Sequence, residues 1–247
     1  MRIPCRADKK ESGLNQLLAD KVPEQLQSTL NTAFSKAFLL IFEKGTGVIE
    51  KTYKRDELEK AYQVNEYAAE IHKDRKTLRA FSKKAGSSGA KNLVLSGVSG
   101  IGLGILGIGI PDIALFTGLM LKGIYEIALN YGFPYESDGE RQFILYLIQG
   151  AVSCGEQQQT AEHQIDRYIR SGQFCEPLST EALIEQTAGC LSGELLYMKF
   201  LQGIPVVGAV GGAYDAIYMK RIIEYAELKY RRRFYLKKQS QSSGGAN

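Results

Sequence analysis

The stretch that decides the fold class is Pro111-Asp-Ile-Ala-Leu-Phe-Thr-Gly-Leu-Met-Leu-Lys-Gly-Ile-Tyr-Glu-Ile-Ala-Leu-Asn-Tyr-Gly-Phe133. Proline is favoured in the first turn of a helix and glycine just past its end, so this stretch predicts one helix from Pro111 to about Tyr131. Helical periodicity continues on both sides, and no convincing two-residue alternation typical of strands occurs. The sequence therefore predicts an all-α fold, a helical bundle with glycine-rich apolar helical hairpins.

Other parts of the chain show the same helical pattern. An apolar stripe follows Pro23 and consists of Leu26, Leu30, Phe34, Ala37, Phe38, Ile41 and Phe42. Ser137 and Glu140 have the spacing of a capping box in front of the apolar run 143–148. Further helices are predicted at about residues 55–82, 156–170 and 180–201, with a last one from Pro205 to about Phe234.

The length of 247 residues fits one domain with an appended arm. We expect an N-terminal arm over 1–22, a single helical domain over 23–236 and a disordered tail over 237–247. No apolar leader run follows Met1, so the protein is expected to start in the cytoplasm. No two of the four cysteines are closer than 15 residues, which predicts free thiols in a reducing compartment.

Charge is distributed unevenly along the chain. Residues 217–247 contain eight Lys or Arg and two Asp or Glu, whereas residues 92–216 contain five and thirteen. The basic C-terminal run interleaves aromatic residues with charge and suits an anionic lipid surface or a solvated helix end better than nucleic acid, because no nucleic-acid motif accompanies it. The predicted lipid-surface residues are Arg231, Arg232, Arg233, Lys237 and Lys238.

Two glycine-rich segments predict close helix packing. Twenty residues from 92 to 111 carry no charge, which is long enough to cross a hydrocarbon core. Small residues four apart let helix backbones approach closely in lipid. Membrane insertion as a hairpin of 92–110 and 111–131, and burial in a soluble core, both fit this pattern. The residues of the predicted packing face are Ser96, Gly100, Gly104, Gly208 and Gly212.

A weak internal repeat relates two apolar helices. Each copy places Gly-Ile-Pro before a helix with a Lys–Glu pair four residues apart, Lys122–Glu126 in the first copy and Lys220–Glu224 in the second. Such pairs usually lie on a solvated helix face, which is our expectation for both.

Ionisable residues in apolar context are the candidate catalytic residues: Asp112, Glu126 and Asp215. Buried charges are costly and therefore often functional. The alternative for Asp112 is a structural role at a helix N-terminus, where a negative charge suits the helix dipole. A hydrolase-type site would need the three carboxylates to converge.

The sequence gives little support for nucleotide or metal binding. The GxGxxG match at 102–107 lacks a βαβ context, because Pro111 follows at once. His163 with Glu162 and Asp166 could form a helical metal face, but a solvated polar helix explains them better. We therefore predict no metal, no cofactor and no identifiable small-molecule ligand.

Several segments resemble the bacterial EcsC protein family over about residues 20–236. They are Phe38-Leu-Leu-Ile-Phe-Glu-Lys-Gly-Thr-Gly-Val-Ile-Glu50, Gly109-Ile-Pro-Asp-Ile-Ala-Leu115, Tyr125-Glu-Ile-Ala-Leu-Asn-Tyr-Gly-Phe133 and Ile204-Pro-Val-Val-Gly-Ala-Val-Gly-Gly212. The family takes its name from a gene beside an ABC transporter linked to protein secretion, and it brings no catalytic residues to carry over.

The resemblance and the charge pattern lead to one main hypothesis and two alternatives. The main hypothesis is a non-enzymatic, membrane-associated helical accessory protein on the cytoplasmic side, acting with an ABC transporter or an envelope or secretion process. The alternatives are a hydrolase-type enzyme and a soluble helical interaction module in the cytoplasm.

Overall fold

The protein is all-α. The computed structural model describes residues 24–45, 55–60, 62–63, 111–176, 178–201 and 213–244. Residues 55–60 and 62–63 are helical, and Ile41–Gly45 forms a π-helical turn at the end of the first helix. Within the described ranges the six long helices are α1 (Glu24–Leu40), α2 (Pro111–Asn130), α3 (Asp138–Val152), α4 (Gly155–Ser171), α5 (Thr180–Leu201) and α6 (Ala213–Gly244).

The long helices pack as a closed ring with one helix outside it. In the ring, α1 contacts α2, α2 contacts α6, α6 contacts α3, α3 contacts α5, and α5 returns to α1. Helix α4 packs against α3 and α6 from outside the ring. Helices α3 and α6 each contact three other described helices, so side chains on these two helices make most of the contacts between helices that are considered below.

The predicted apolar stripe of the first helix is confirmed. Leu30, Phe34, Phe38 and Ile41 recur at helical spacing and are buried. The Phe34 ring meets Phe116 of α2 edge-to-face, with ring centroids 6.4 Å apart. Burial of this stripe therefore attaches α1 to α2.

Helix α2 ends as the sequence predicts. Gly132 adopts a left-handed conformation with φ 74°, and the amides of Gly132 and Phe133 donate to the carbonyls of Leu129 and Ala128. This Schellman arrangement satisfies carbonyls that the helix end leaves open. A Cβ at Gly132 would clash with the Tyr62 ring, so glycine also lets Tyr62 pack here.

The capping box at the start of α3 is only half present. Ser137 is the N-cap, and its hydroxyl accepts the backbone N–H of Glu140. The Glu140 side chain does not complete the box, because its carboxylate is bound by Tyr230 and Arg233 of α6. The local motif therefore starts the helix, and the carboxylate serves a distant contact.

Two sequence expectations need correction. Helix α6 continues to Gly244, so residues 237–244 are helical where the Ser- and Gln-rich composition predicted a disordered tail. Cys154 is disulfide-bonded, whereas Cys175 and Cys190 are free, so the expectation of four free thiols is wrong for Cys154. The predicted packing face of Ser96, Gly100, Gly104, Gly208 and Gly212 lies outside the described residues, as does the GxGxxG match.

Candidate functional site

Helix α2 carries a buried polar stripe on an otherwise apolar helix. Lys122, Glu126 and Asn130 follow one another at intervals of four residues and therefore share a face. Glu126 is 6% exposed and Asn130 7% exposed, and Nζ of Lys122 lies 3.9 Å from Oε1 of Glu126. Burying ionisable groups costs free energy, which makes this stripe the first candidate for a functional site.

Burial changes the protonation of Glu126. Desolvation raises the pKa of its carboxyl group to about 7, against an opposing effect of the nearby Lys122 charge. The Nδ2 atom of Asn130 is buried and has no hydrogen-bond partner among the described residues. A buried carboxyl group that titrates near neutrality can donate or accept a proton at that pH.

The two Lys–Glu pairs of the internal repeat differ in burial. The side chains of Lys220 and Glu224 are 72% and 64% exposed, whereas those of Lys122 and Glu126 are 13% and 8% exposed. The expectation of a solvated face is confirmed for the second pair and wrong for the first. The reason is packing: the described residues of α2 are nearly all buried, whereas Lys220 and Glu224 lie on an exposed side of α6.

The candidate carboxylates do not all converge. Asp112 and Glu126 belong to one continuous helix, in which positions 112 and 126 are about 21 Å apart along the axis at 1.5 Å per residue. That separation excludes a shared site of these two residues. Asp215 lies in the first turn of α6, and its side chain, like that of Asp112, lies outside what the structure describes.

A second polar centre joins α3 to the inner face of α6. Glu140 is 3% exposed; its Oε1 accepts the Tyr230 hydroxyl at 2.7 Å, and Nη1 of Arg233 lies 2.8 Å from Oε2. The guanidinium carbon of Arg233 lies 4.1 Å from the centroid of the Phe133 ring and 5.0 Å from that of Tyr168. Burial and Glu140 raise the pKa of Tyr230 well above its ordinary value, so this tyrosine stays a neutral donor.

A third polar centre joins α4 to α6. The Lys229 ammonium lies 2.9 Å from Glu162 and 3.7 Å from Asp166, and Arg232 also binds Asp166. The Tyr225 hydroxyl donates to the other oxygen of Glu162 at 2.8 Å. Glu162 and Asp166 therefore hold α6 instead of forming a metal face with a histidine. Across the described ranges, no group of three or more His, Cys, Asp or Glu side chains is arranged to bind a metal ion.

The basic end of α6 divides into an inner and an outer set. Arg232 and Arg233 bind acids of α4 and α3, so these two predicted lipid-surface residues have internal partners. Arg231 and Lys238, seven residues apart, share the outer face of α6, whereas Lys237 follows Arg233 by four residues and its ammonium lies 5.5 Å from the centroid of the Phe133 ring. Two exposed leucines, Leu228 and Leu236, lie in the same part of α6. These leucines are 49% and 36% exposed and are the exposed large apolar residues among those described.

Sequence reasoning missed Glu140, Lys229 and Tyr230 as members of polar centres. Glu140 had a visible local role in the capping box, and nothing in its neighbourhood pointed to an arginine 93 residues away. Lys229 and Tyr230 lie in a run of basic and aromatic residues in which the sequence alone did not distinguish buried from exposed positions. Helical phase could have separated the run into two faces, because Leu228, Arg231, Tyr235 and Lys238 recur at spacings of three and four.

Comparison with known proteins identifies the family of the chain but no individual similar protein. The family model described as the EcsC protein family matches residues 2–235. This match begins well before residue 23, where the sequence predicted the domain to start. No curated protein and no solved structure matches the chain. Among the described helices, none has the length and apolar character that crossing a bilayer requires.

Proposed function

The chain belongs to the EcsC protein family, and with this membership as the premise we propose that it is a non-enzymatic accessory protein that docks on an anionic membrane surface through the outer face of α6. In this proposal it acts on the cytoplasmic side with an ABC transporter or an envelope or secretion process, as the family name implies. The glycine faces at Gly100, Gly104, Gly208 and Gly212 then serve as packing surfaces for membrane or partner helices.

The observation that carries the proposal is the combination of charge and exposed leucine at the end of α6. After Glu227 the helix contains six Lys or Arg residues and no Asp or Glu. Three of the six bind acids of α3 and α4, so this part of the charge stabilises the fold. The other three, Arg231, Lys237 and Lys238, suit anionic headgroups, each near-surface cation being worth about 1 kcal/mol.

The exposed apolar residues distinguish a lipid surface from nucleic acid. Leu228 and Leu236 are exposed on the same stretch, whereas Tyr235 is partly buried against the core. Leucine gains free energy at the boundary between headgroups and acyl chains, where arginine and lysine side chains reach the phosphates. A phosphodiester backbone in water would offer the leucines no such environment.

Vesicle co-sedimentation tests the proposal. The full-length protein is mixed with vesicles of phosphatidylglycerol and phosphatidylcholine, and with vesicles of phosphatidylcholine alone. We expect binding to the anionic vesicles only, and we expect the triple variant R231Q/K237Q/K238Q to weaken it by about tenfold or more. The matched control is K36Q/K60Q/K220Q, which removes the same charge from exposed lysines elsewhere and should bind nearly as well as the wild type.

Salt separates two modes of attachment. If the outer face alone holds the protein, about 0.5 M salt should release it, because exposed charges are screened over a few ångströms at that ionic strength. If apolar insertion also contributes, detergent is needed for release. A protein that stays in the supernatant with anionic vesicles at low salt, or a control triple variant as weak as R231Q/K237Q/K238Q, would exclude the proposed docking face.

A second candidate function rests on Glu126. A buried carboxyl group whose pKa is raised to about 7 has the protonation behaviour of a general acid or base, so a hydrolase-type enzyme is the alternative. A hydrolysis screen comparing wild type, E126Q and E224Q tests it, since Glu224 is the exposed counterpart in the internal repeat. Activity lost in E126Q and kept in E224Q would favour the enzyme.

A further inference from the structure

We propose that Cys175 and His163 form a surface thiol–imidazole pair that makes Cys175 a modification site for hydroperoxides and other soft electrophiles. The Sγ atom of Cys175 lies 3.7 Å from Nδ1 of His163, within hydrogen-bond reach for sulfur. His163 belongs to α4, and Cys175 lies in the segment between α4 and α5. Both side chains are exposed, so a reagent in solution can reach the sulfur.

The chain holds this pair in place through local structure and packing. Gly172 ends α4 in a left-handed conformation with φ 70°, and the chain then turns back along the helix. The backbone N–H of Cys175 donates to Oε1 of Gln164 at 2.8 Å, and Gln164 is only 5% exposed. The Phe174 ring stacks on Tyr168 with centroids 4.5 Å apart. Two anchored neighbours therefore fix where the thiol lies.

The imidazole supplies the base that a thiol needs. With its proton on Nε2, His163 accepts the S–H proton at Nδ1 as the sulfur attacks, because the thiolate is the reactive form. With a hydroperoxide, an S–O bond forms and the O–O bond breaks. The sulfur is oxidised to a sulfenic acid, the peroxide is reduced, and the leaving oxygen takes the proton from the imidazolium to give water or an alcohol.

The other described cysteines lack this combination. Cys190 is half-buried, and burial raises the pKa of its thiol, while Cys154 is disulfide-bonded. The charged residues closest to the pair along the chain are Glu176, next to Cys175, and Arg167, one turn after His163, both exposed; Asp166 is held by Arg232. Burial raises the pKa of the nearby Tyr146, and Glu176 and Cys175 add to that effect.

Peptide-resolved mass spectrometry measures the consequence. The folded, full-length protein is labelled with iodoacetamide at pH 7 without reductant, and glutathione serves as a simple exposed thiol under the same conditions. We expect Cys175 to react at least about threefold faster than glutathione, and H163Q to bring it to the glutathione rate. Q159A is the matched control, because Gln159 is exposed one turn before His163 on α4 and carries no charge; it should react like the wild type. After hydrogen peroxide, dimedone should label Cys175 in the wild type and much less in H163Q.

Two results would overturn the proposal. One is a wild-type Cys175 that reacts only at the glutathione rate, which would mean that its exposure alone explains its reactivity. The other is an H163Q protein, with unchanged circular dichroism, whose Cys175 reacts as fast as the wild type from pH 6 to 9. Q164M removes the loop anchor and leaves His163 in place; we expect its rate to fall toward that of H163Q, and a wild-type rate in Q164M would contradict the positioning argument.

Discussion

Nη1 of Arg233 lies 2.9 Å and 2.8 Å from the two carboxylate oxygens of Glu140, a residue 93 positions earlier in the chain. Glu140 is 3% exposed, and the Tyr230 hydroxyl binds the same carboxylate. This contact connects the first turn of α3 to the inner face of α6, so two residues far apart in the sequence hold these two helices together.

Removing Arg233 should destabilise the protein strongly. In R233M the Glu140 carboxylate would stay buried without its cation, a change that costs on the order of 3–5 kcal/mol. The variant E140Q/R233M removes both charges and keeps an acceptor for Tyr230, so we expect it to regain a large part of that loss. Urea unfolding gives the free energies, with R231M as the control on the outer face. Equal stability of R233M and R231M would contradict this role of the pair.

Removing Lys229 should cost much less, although its side chain is 7% exposed. Its partners Glu162 and Asp166 have side chains 42% and 34% exposed, so water can solvate them once the ammonium is gone. Methionine keeps the apolar stem in place. We expect K229M to lie within about 1 kcal/mol of the wild type in urea unfolding. A loss as large as that of R233M would mean that exposure of the acids does not set the cost.

Glycine at position 150 permits close packing of α3 against α6. A Cβ there would lie 2.7 Å from the Tyr225 hydroxyl oxygen, which is itself held by Glu162 and cannot simply move away. We expect G150A to destabilise the protein by about 1–3 kcal/mol through overpacking.

Gly189 and Gly193 in α5 are the matched controls, since a Cβ at either would meet nothing within 4 Å. Alanine there should stabilise the helix by up to about 1 kcal/mol. Thermal unfolding of the three single variants checks both signs, and a G150A protein that melts like G189A would show that the α3–α6 approach is not close.

The buried carboxyl group of Glu126 should make stability depend on pH. Its folded pKa, raised to about 7, lies above the ordinary value of 4.5, so the folded state binds more protons between these values and stability is lost as pH rises through that window. E126Q cannot ionise. We expect it to match the wild type near pH 5 and to exceed it at pH 8 by on the order of 2 kcal/mol.

The measurement is the urea unfolding midpoint of wild type, E126Q and E224Q at several pH values. Glu224 has an exposed side chain, so E224Q should follow the wild-type curve closely. A wild-type and an E126Q protein with parallel pH dependence would show that Glu126 is charged in the folded state throughout.

Local chemistry made most of the helix ends predictable from the sequence. Ser137 starts α3 because its hydroxyl reaches an amide three residues ahead, and Gly132 ends α2 because glycine tolerates a positive φ. The buried stripe with Leu30, Phe34 and Phe38 was predictable from the helical period of its apolar residues alone. Such features depend on neighbours within a turn or two, and the sequence contains that information directly.

Partners across the bundle were decided by the tertiary structure alone. Lys122–Glu126 and Lys220–Glu224 have the same spacing and similar apolar surroundings, yet the first pair is buried and the second is exposed. Three adjacent arginines looked equivalent, yet Arg232 and Arg233 bind acids of α4 and α3 while Arg231 lies on the outer face. Helical period tells which residues share a face, but only packing tells what that face meets, because burial and charge pairing depend on helices tens of residues away.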